Sequence, residues 1–402
     1  MSVSFARPPR VVFLGCYADG EGYPRPRLVR AALERAGADV VAVCRVDPLS
    51  GRFSRHASPF RAATAILRTL PALRRAYREA PPHDIVYVGP GGFIEAAFWD
   101  GFVRGERKRP RPAILFDPLY SLHDTAVSDR ALAPRRSWRA RAIRWLESRA
   151  LRAADRVLVD TDATGDFFAE EFSLPRERFR RLRVGSIYDA VPRPRRAKRL
   201  PGAPLDVLYV GSYIPLHGLD VVMAAAQRLR DTGIRFTLVG SGQDERRIAA
   251  AVKERDLRHV RLEGGFVAGR ALLDLYARAD AALGIFGASE KARRVVPFKV
   301  NDAMALALPL VTADTKAARE VLADGESALL VKPGSPDLLA AALLRLRDDP
   351  ALRERLGRGA RAAFDATASA EAAAFEIQVA IEGLLPDGPR DGGDRRLTEA
   401  RA

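Results

Sequence analysis

The chain has 402 residues, of which 48% are hydrophobic and 29% charged, which is too long for one ordinary core and comfortable for two. Its net charge of +16 lies entirely in residues 1–200, which hold 38 Lys+Arg against 22 Asp+Glu. Two cysteines, Cys16 and Cys44, exclude a disulfide framework, and no apolar run approaches the roughly 20 residues of a membrane span.

In chain order, Val11–Cys16 reads as an apolar strand, too short for a signal peptide despite Arg7 and Arg10 before it. Leu28, Ala32, Leu33 and Ala36 recur at helical spacing within residues 27–36, and residues 40–44 form a second strand. Residues 62–80 predict an amphipathic helix ended by Pro81-Pro82, followed by strand 84–88 and the turn Gly89-Pro90-Gly91-Gly92. Strands 113–116 and 157–159 flank a helix from about Trp138 to Ala153, and Asp162 is expected to cap the next helix. His123 and Asp124 are expected in a loop. Both cysteines fall in strand runs and are expected as buried free thiols.

Residues 186–204 break this rhythm with Pro192, Pro194, Pro201, Pro204 and five cations. Strands at 207–210, 236–239, 260–262, 281–285, 310–312 and 328–331 then alternate with helices to about residue 368. Alternating short apolar strands and helices predict two doubly wound α/β domains in tandem, with parallel sheets and ligands at the carboxyl ends of the strands. The expected organisation is an acceptor domain over residues 1–190, a linker over 191–204, a donor domain over 205–368, a helix over 369–385 packing back on the first domain, and a disordered tail over 386–402.

Strand 207–210 runs into Gly211-Ser212, with Leu216-His217-Gly218 before a helix, and strand 236–239 runs into Gly240-Ser241-Gly242. A strand, a glycine turn and a helix N-terminus suit an anion, because backbone N–H groups can approach a phosphate and the helix dipole favours its charge. Lys291, Arg294 and Lys299 follow the end of another strand, where cations can grip a diphosphate through charge-assisted hydrogen bonds. Asp302 and Glu320 would be repelled by that diphosphate and suit sugar or ribose hydroxyls instead. In the first half, Gly20, Gly22, Tyr23 and Arg25 follow the first strand and suit a phosphate or the acceptor. Asp117, at a strand end, and His123 and Asp124 are the candidates for acceptor or oxocarbenium contacts. Each of these charges also has a plain reading as a solvated residue, and Asp117 before Pro118 as a turn cap.

From Leu208 to Leu344 the chain resembles the donor domain of glycosyltransferase family 4. The resemblance rests on Val210-Gly211 with His217-Gly218, Leu238–Gly242, Leu262-Glu263-Gly264-Gly265, Leu275-Tyr276 with Ala279-Asp280, Asp302-Ala303-Met304-Ala305 with Leu308–Thr312, and Arg319-Glu320 with Asp324-Gly325. A narrower likeness in the first half runs through Tyr23-Pro24-Arg25, Phe116–Thr125 and Ala154–Thr161. The resemblance implies the GT-B fold, two Rossmann-like domains about a cleft, and transfer of a hexosyl group from a nucleoside diphosphate sugar with retention. It implies no metal or other cofactor, and the base of the donor is expected near Gly265–Val267, with Gly265 and Phe266 as contacts.

The chain departs from that family where an Arg and a Lys of the first glycine loop become Ser212 and His217. Of two glutamates eight positions apart, the second maps onto Asp302 and the first onto Arg294. Arg294 and Lys299 are expected to restore the missing positive charge. A sugar-nucleotide epimerase and a non-catalytic sugar-nucleotide or partner-binding protein stand as alternatives. Asp160-Thr161-Asp162 mimics a metal motif but falls at a strand-to-helix turn, and the five histidines are scattered. The hydroxyl acceptor is expected on the basic first domain, as a glycan, glycolipid or small molecule, lipid-linked or anionic. The expected setting is cytoplasmic, with peripheral contact to anionic membrane. Nucleic acid is not an expected partner, because the basic runs lack interleaved aromatics.

Overall fold

The computed structural model describes residues 7–17, 24–46, 59–98, 111–130, 132–192 and 203–385. The first sheet contains β1 (Arg10–Cys16), β2 (Asp39–Val46), β3 (Ile85–Val88), β4 (Ala113–Phe116), β5 (Arg156–Val159) and β6 (Phe179–Arg181), ordered β2-β1-β3-β4-β5-β6. The second contains β7 (Leu205–Val210), β8 (Ile234–Gly240), β9 (Val260–Gly264), β10 (Ala281–Leu283), β11 (Leu310–Ala313) and β12 (Leu329–Val331), ordered β12-β11-β10-β7-β8-β9. Neighbouring strands in both sheets are parallel. These are two Rossmann-like domains.

Central strands such as β3 and β4 are apolar along their whole length because helices cover both faces. Val11, Ile85, Tyr87 and Leu158 pack on one face of the first sheet, and Val12, Val86, Ile114 and Val157 on the other. Helices α1 (Arg25–Arg35), α2 (Pro59–Glu79), α3 (Phe93–Ala97), α4 (Trp138–Ala153) and α5 (Asp162–Phe172) belong to the first half. The second half carries α6 (Leu219–Arg228), α7 (Glu245–Glu254), α8 (Gly269–Arg278), α9 (Phe298–Ala305), α10 (Pro336–Asp348) and α11 (Pro350–Thr367). Helix α12 (Ala370–Ile381) returns to the first sheet. Its Ile377, Ala380 and Ile381 share a buried cluster with Val29 and Leu33 of α1. Glu376 of α12 accepts hydrogen bonds from Arg181 Nε at 2.8 Å and Arg183 N at 2.9 Å.

Both cysteines are buried and free. Three local features differ from the sequence reading. Thr161, not Asp162, caps α5: its hydroxyl accepts from Thr164 N, and Asp162 is the first helical residue. The loop expected at His123 and Asp124 is a wide helical turn over Asp124–Asp129, with His123 as its cap. Arg130 N donates to Thr125 O at 3.0 Å, five residues back, a pattern with no apolar period to betray it. Strand β6 reads Phe-Arg-Arg, and its two cations hid it from a search for apolar runs. The linker expectation falls mostly on residues 193–202 and the tail expectation on 386–402, outside the described residues. Among the described residues no helix is long and apolar enough to cross a membrane.

Candidate active site

In the second sheet the chain steps from β7 outward to β8 and β9, then returns to β10 on the other side of β7. The crevice at the carboxyl ends of β7 and β10 is the topological switch point, where ligands of such sheets sit. Gly211 and Ser212 leave β7 there, and Gly240 leaves β8. Gly211 has φ +143°, and a Cβ on it would lie 2.6 Å from Lys299 Nζ. Gly240 has φ +144°, and its Cβ would lie 2.0 Å from Gly211 O. Both loops therefore depend on glycine for conformation and for close approach.

Lys299, in the first turn of α9, points its ammonium into this crevice and is buried. Its Nζ donates to Tyr209 Oη at 3.0 Å and stands 4.1 Å from the centre of that ring. The Tyr209 hydroxyl donates to Ser212 O at 2.9 Å, and His217 Nδ1 lies 2.6 Å from the same carbonyl. The same nitrogen lies 2.7 Å from Tyr209 Oη and 3.3 Å from Lys299 Nζ. Burial, the nearby Lys299, and the more distant Lys291 and Arg130 hold the His217 pKa well below its ordinary value, so the ring is neutral. Burial alone pushes the Lys299 pKa well below the usual lysine range. Among the described residues no carboxylate pairs with Lys299, whose polar neighbours are the neutral Tyr209 and His217. A buried ammonium without a counter-charge, set in two glycine loops near the start of α6 at Gly218, is a place prepared for an anion.

The carboxyl ends of β4 and β5 face those of β10 and β11 across the cleft. Arg294 Nη2 donates to Asp124 Oδ2 at 2.6 Å, and its guanidinium lies 3.6 Å over the Phe167 ring. Thr164 Oγ1 donates to Arg294 O at 3.0 Å. Lys291 Nζ donates to Thr125 Oγ1 at 2.8 Å and lies 3.3 Å from Asp129 Oδ2. Glu320 spans the same gap. Its two oxygens accept from Asp162 N and Ala163 N, each at 2.9 Å, so one domain caps a helix of the other. Asp302 accepts from Ser186 Oγ at 2.6 Å, and burial pushes its carboxyl up to about 7.

On the first domain, Glu147 of α4 turns inward and is fully buried. It accepts from Ser121 Oγ at 3.2 Å, Leu122 N at 2.9 Å and His123 N at 2.8 Å, which fixes the loop leading to Asp124. Burial pushes its carboxyl up to about 7 against those hydrogen bonds. Burial, then Arg144, lowers the His123 pKa, with Asp124 opposing, so its imidazole is neutral at physiological pH. Asp160, buried at the end of β5, is raised to about 6 by burial, and one of its oxygens has no hydrogen-bond partner.

Of the residues singled out in the sequence, Gly211, Ser212, His217, Gly218, Gly240, Gly242 and Lys299 gather at the switch point. Gly265, with φ +90°, and the exposed Phe266 follow β9 on the same edge. Lys291 and Arg294 meet Asp129 and Asp124 across the cleft and engage these carboxylates of the first domain, and His123 caps the turn that carries Asp124. Two expectations require correction. Asp117 is fully buried and does not line the cleft: Arg25 Nε donates to its Oδ2 at 2.8 Å and Tyr87 Oη donates to it at 2.9 Å. Arg25 is equally enclosed, with Nη1 donating to Leu182 O and Arg183 O, each at 2.8 Å. A buried carboxylate and a buried guanidinium satisfy each other, which leaves neither for a ligand. Glu320 and Asp302 likewise spend oxygens on the other domain, at Asp162 N and Ala163 N and at Ser186 Oγ, rather than standing open. Gly20, Gly22 and Tyr23 lie outside the described residues.

Sequence reading singled out neither Tyr209, Asp129 nor Glu147, and gave Thr125 and Asp160 no part in the site. Tyr209 reads as strand core. Glu147 carried a usable signal, as the only acid in an otherwise basic helix.

Comparison with known proteins bears on the same two halves. Residues 22–185 match the glycosyl transferase 4-like domain, and residues 204–349 match glycosyl transferases group 1. The chain is 28% identical over 249 residues to an alpha-D-kanosaminyltransferase of Streptomyces kanamyceticus, covering 60% of this chain and 61% of that protein. It is 31% identical over 227 residues to a glycogen synthase of Mycobacterium tuberculosis, covering 55% of this chain and 52% of that protein. The matches thus span about half to three fifths of these curated relatives. Sucrose-phosphate synthase from Thermosynechococcus elongatus superposes with TM-score 0.68 at 19% identity, covering 92% of this chain and 97% of that one. Anabaena HepE in complex with UDP-glucose superposes with TM-score 0.66 at 16% identity, covering 92% and 98%. At such identities the superpositions show the fold, which is the GT-B arrangement. With both halves matched in this order, the chain belongs to the glycosyltransferases that join a 4-like domain to a group 1 domain.

Proposed function

We propose that this chain transfers a hexosyl group from a nucleoside diphosphate sugar to a hydroxyl, with retention at the sugar carbon. The observation that carries the proposal is Lys299, a buried amine with only neutral partners at the switch point of the second sheet, whose protonated form an anion would stabilise. An incoming diphosphate supplies the missing counter-charge, and as the sugar departs the same ammonium and the α6 terminus stabilise the charge growing on the leaving phosphate. No metal takes part in this scheme. In this reading the base lies by Gly265–Val267, at the carboxyl end of β9. The related structure that contains UDP-glucose supports a nucleotide-sugar donor.

The acceptor lies on the first domain, near His123 and Asp124. A neutral imidazole and a carboxylate there accept hydrogen bonds from a hydroxyl. Asp124 also balances Arg294, which stands where the family resemblance places a carboxylate. That exchange favours one alternative, a protein that binds donor without turning it over.

The test is thermal stability against UDP-, GDP-, ADP- and dTDP-sugars, with the free nucleosides as controls. Binding to the native state raises the melting temperature by mass action. A shift confined to one nucleotide family is expected, together with release of the nucleoside diphosphate when acceptor is added. Absence of any shift would remove the donor proposal; a shift with no release under any acceptor would leave the binding protein.

A further inference from the structure

Helix α4 turns outward a face that combines exposed tryptophans with arginines. Trp138, Arg141, Ala142, Trp145, Arg149 and Arg152 follow one another along it at helical spacing, and all are exposed. Trp138 is 69% exposed and Trp145 56% exposed, and Phe98 beside them is 41% exposed. The Arg149 guanidinium lies 5.4 Å from the Phe98 ring centre and 6.0 Å from that of Trp145. The one acid of the helix, Glu147, points inward.

Where α4 ends, a groove of about 580 Å³ opens between it and the starts of β4 and β5. Arg111, Arg149, Arg152 and Arg178 line it, with Trp145 as a wall and Asp155 as its one carboxylate. Asp155 is already occupied, accepting from Ile114 N at 2.8 Å and lying 3.9 Å from Arg111. The groove therefore carries a strong positive excess beside exposed aromatic rings.

We propose that this face docks on the surface of an anionic phospholipid bilayer, with a phosphate-bearing headgroup in the arginine groove and Trp138 and Trp145 at the headgroup level. Three observations converge. The arginines match the charge of anionic headgroups. Tryptophans with one apolar and one polar part are at home in the interfacial region. The chain's whole charge excess lies in this half. An RNA partner would be served by the charge but gives no reason for aromatic rings already paired with an arginine rather than presented for stacking. Helix α4 also joins this face to the cleft, because its inward Glu147 holds the loop before Asp124. Docking would set that loop close to the bilayer, where a lipid-linked hydroxyl is delivered.

The docking itself does not depend on the donor reading, and its test is separate from turnover. The full chain is floated with phosphatidylcholine vesicles and with vesicles also containing phosphatidylglycerol, at low and high salt, while tryptophan emission is recorded. The expected result is binding to the anionic vesicles alone, weakened by salt, with a blue shift of emission. R149E combined with R152E should weaken binding at least about tenfold, since each cation near such a surface contributes to attraction. W138F with W145F should lose most of the blue shift. R258E, at an exposed arginine of the second domain, should bind as the wild type does. All these positions are exposed, so melting temperatures and donor-induced shifts should be unchanged. Equal binding to neutral vesicles, wild-type binding by the R149E/R152E protein, or retention by RNA without retention by anionic vesicles would each overturn the proposal.

Discussion

Arg294 and Asp124 form an ion pair of 2.6 Å across the interdomain cleft, with side chains 17% and 14% exposed. One member comes from the loop after β10 and the other from the helical turn after β4. Arg294 stands where family resemblance places a carboxylate, and Asp124 supplies a carboxylate from the opposite wall. The two positions read together as an exchange of charge across the cleft.

That exchange can be measured by a double-mutant cycle. Arg294→Ala and Asp124→Ala should each lower stability by about 1–3 kcal/mol, because each leaves a largely enclosed charge without its partner. The double variant should lose less than the sum, with a coupling of about 0.5–3 kcal/mol. Additive losses in melting experiments would show that the pair contributes no coupling.

Lys299→Met separates function from stability. Removing the ammonium from the leaving diphosphate should lower turnover by about 10²–10³-fold, the usual effect of one preorganised electrostatic group. The fold should be retained, and the melting temperature should hold or rise, because a buried unpaired ammonium is costly. The sign of the pH dependence follows from the lowered lysine pKa. Unfolding then takes up a proton, so the wild type gains stability relative to Lys299→Met as pH rises from the lowered value towards about 10.4, the ordinary lysine value. A gap between the two proteins that widens with rising pH would contradict this.

Asp302 gives the opposite slope. Burial raises its carboxyl to about 7, so the folded chain holds a proton that the unfolded chain releases from about pH 4 upward. Its contribution to stability falls as pH rises through that window and is lost above 7. Asp302→Asn keeps an acceptor for Ser186 Oγ and should remove the slope. The variant should lie nearest the wild type below about pH 4 and melt progressively higher than it as pH rises to 8, by calorimetry. Parallel melting curves across that range would show that Asp302 does not carry the effect.

Glu147→Ala tests the support of the acceptor loop. It leaves Ser121 Oγ, Leu122 N and His123 N without their shared acceptor in an enclosed site, at about 1–3 kcal/mol for each group that finds no water. The acceptor KM should rise while the donor-induced thermal shift stays as in the wild type. A change confined to the donor shift would place Glu147 in a different role.

Much of this arrangement was legible in the sequence. The parallel sheets declared themselves through runs such as Ile85–Val88 and Val207–Val210, which are apolar throughout because both faces are covered. The glycine loops at Gly211 and Gly240 and the cation Lys299 were legible for the same local reason: a strand end, a turn and a helix start lie close in sequence. What escaped notice depends on contacts distant in sequence. Asp117 stands at a strand end facing the cleft, but its fate is set by Arg25, 92 residues earlier. Arg294 reads as a phosphate ligand until Asp124, 170 residues away, is brought opposite it. Glu320 reads as a sugar contact until the start of α5 is placed against it. Pairing of charges across a cleft leaves no period and no motif.

The most direct test of the central claim is calorimetric titration of nucleoside diphosphate against the corresponding nucleoside, with the wild type and with Lys299→Met. The diphosphate should bind the wild type at least about tenfold more tightly than the nucleoside, a difference of about 1.4 kcal/mol, and that preference should vanish in the variant. A diphosphate preference that survives intact in Lys299→Met would contradict the assignment of Lys299 as the diphosphate ligand.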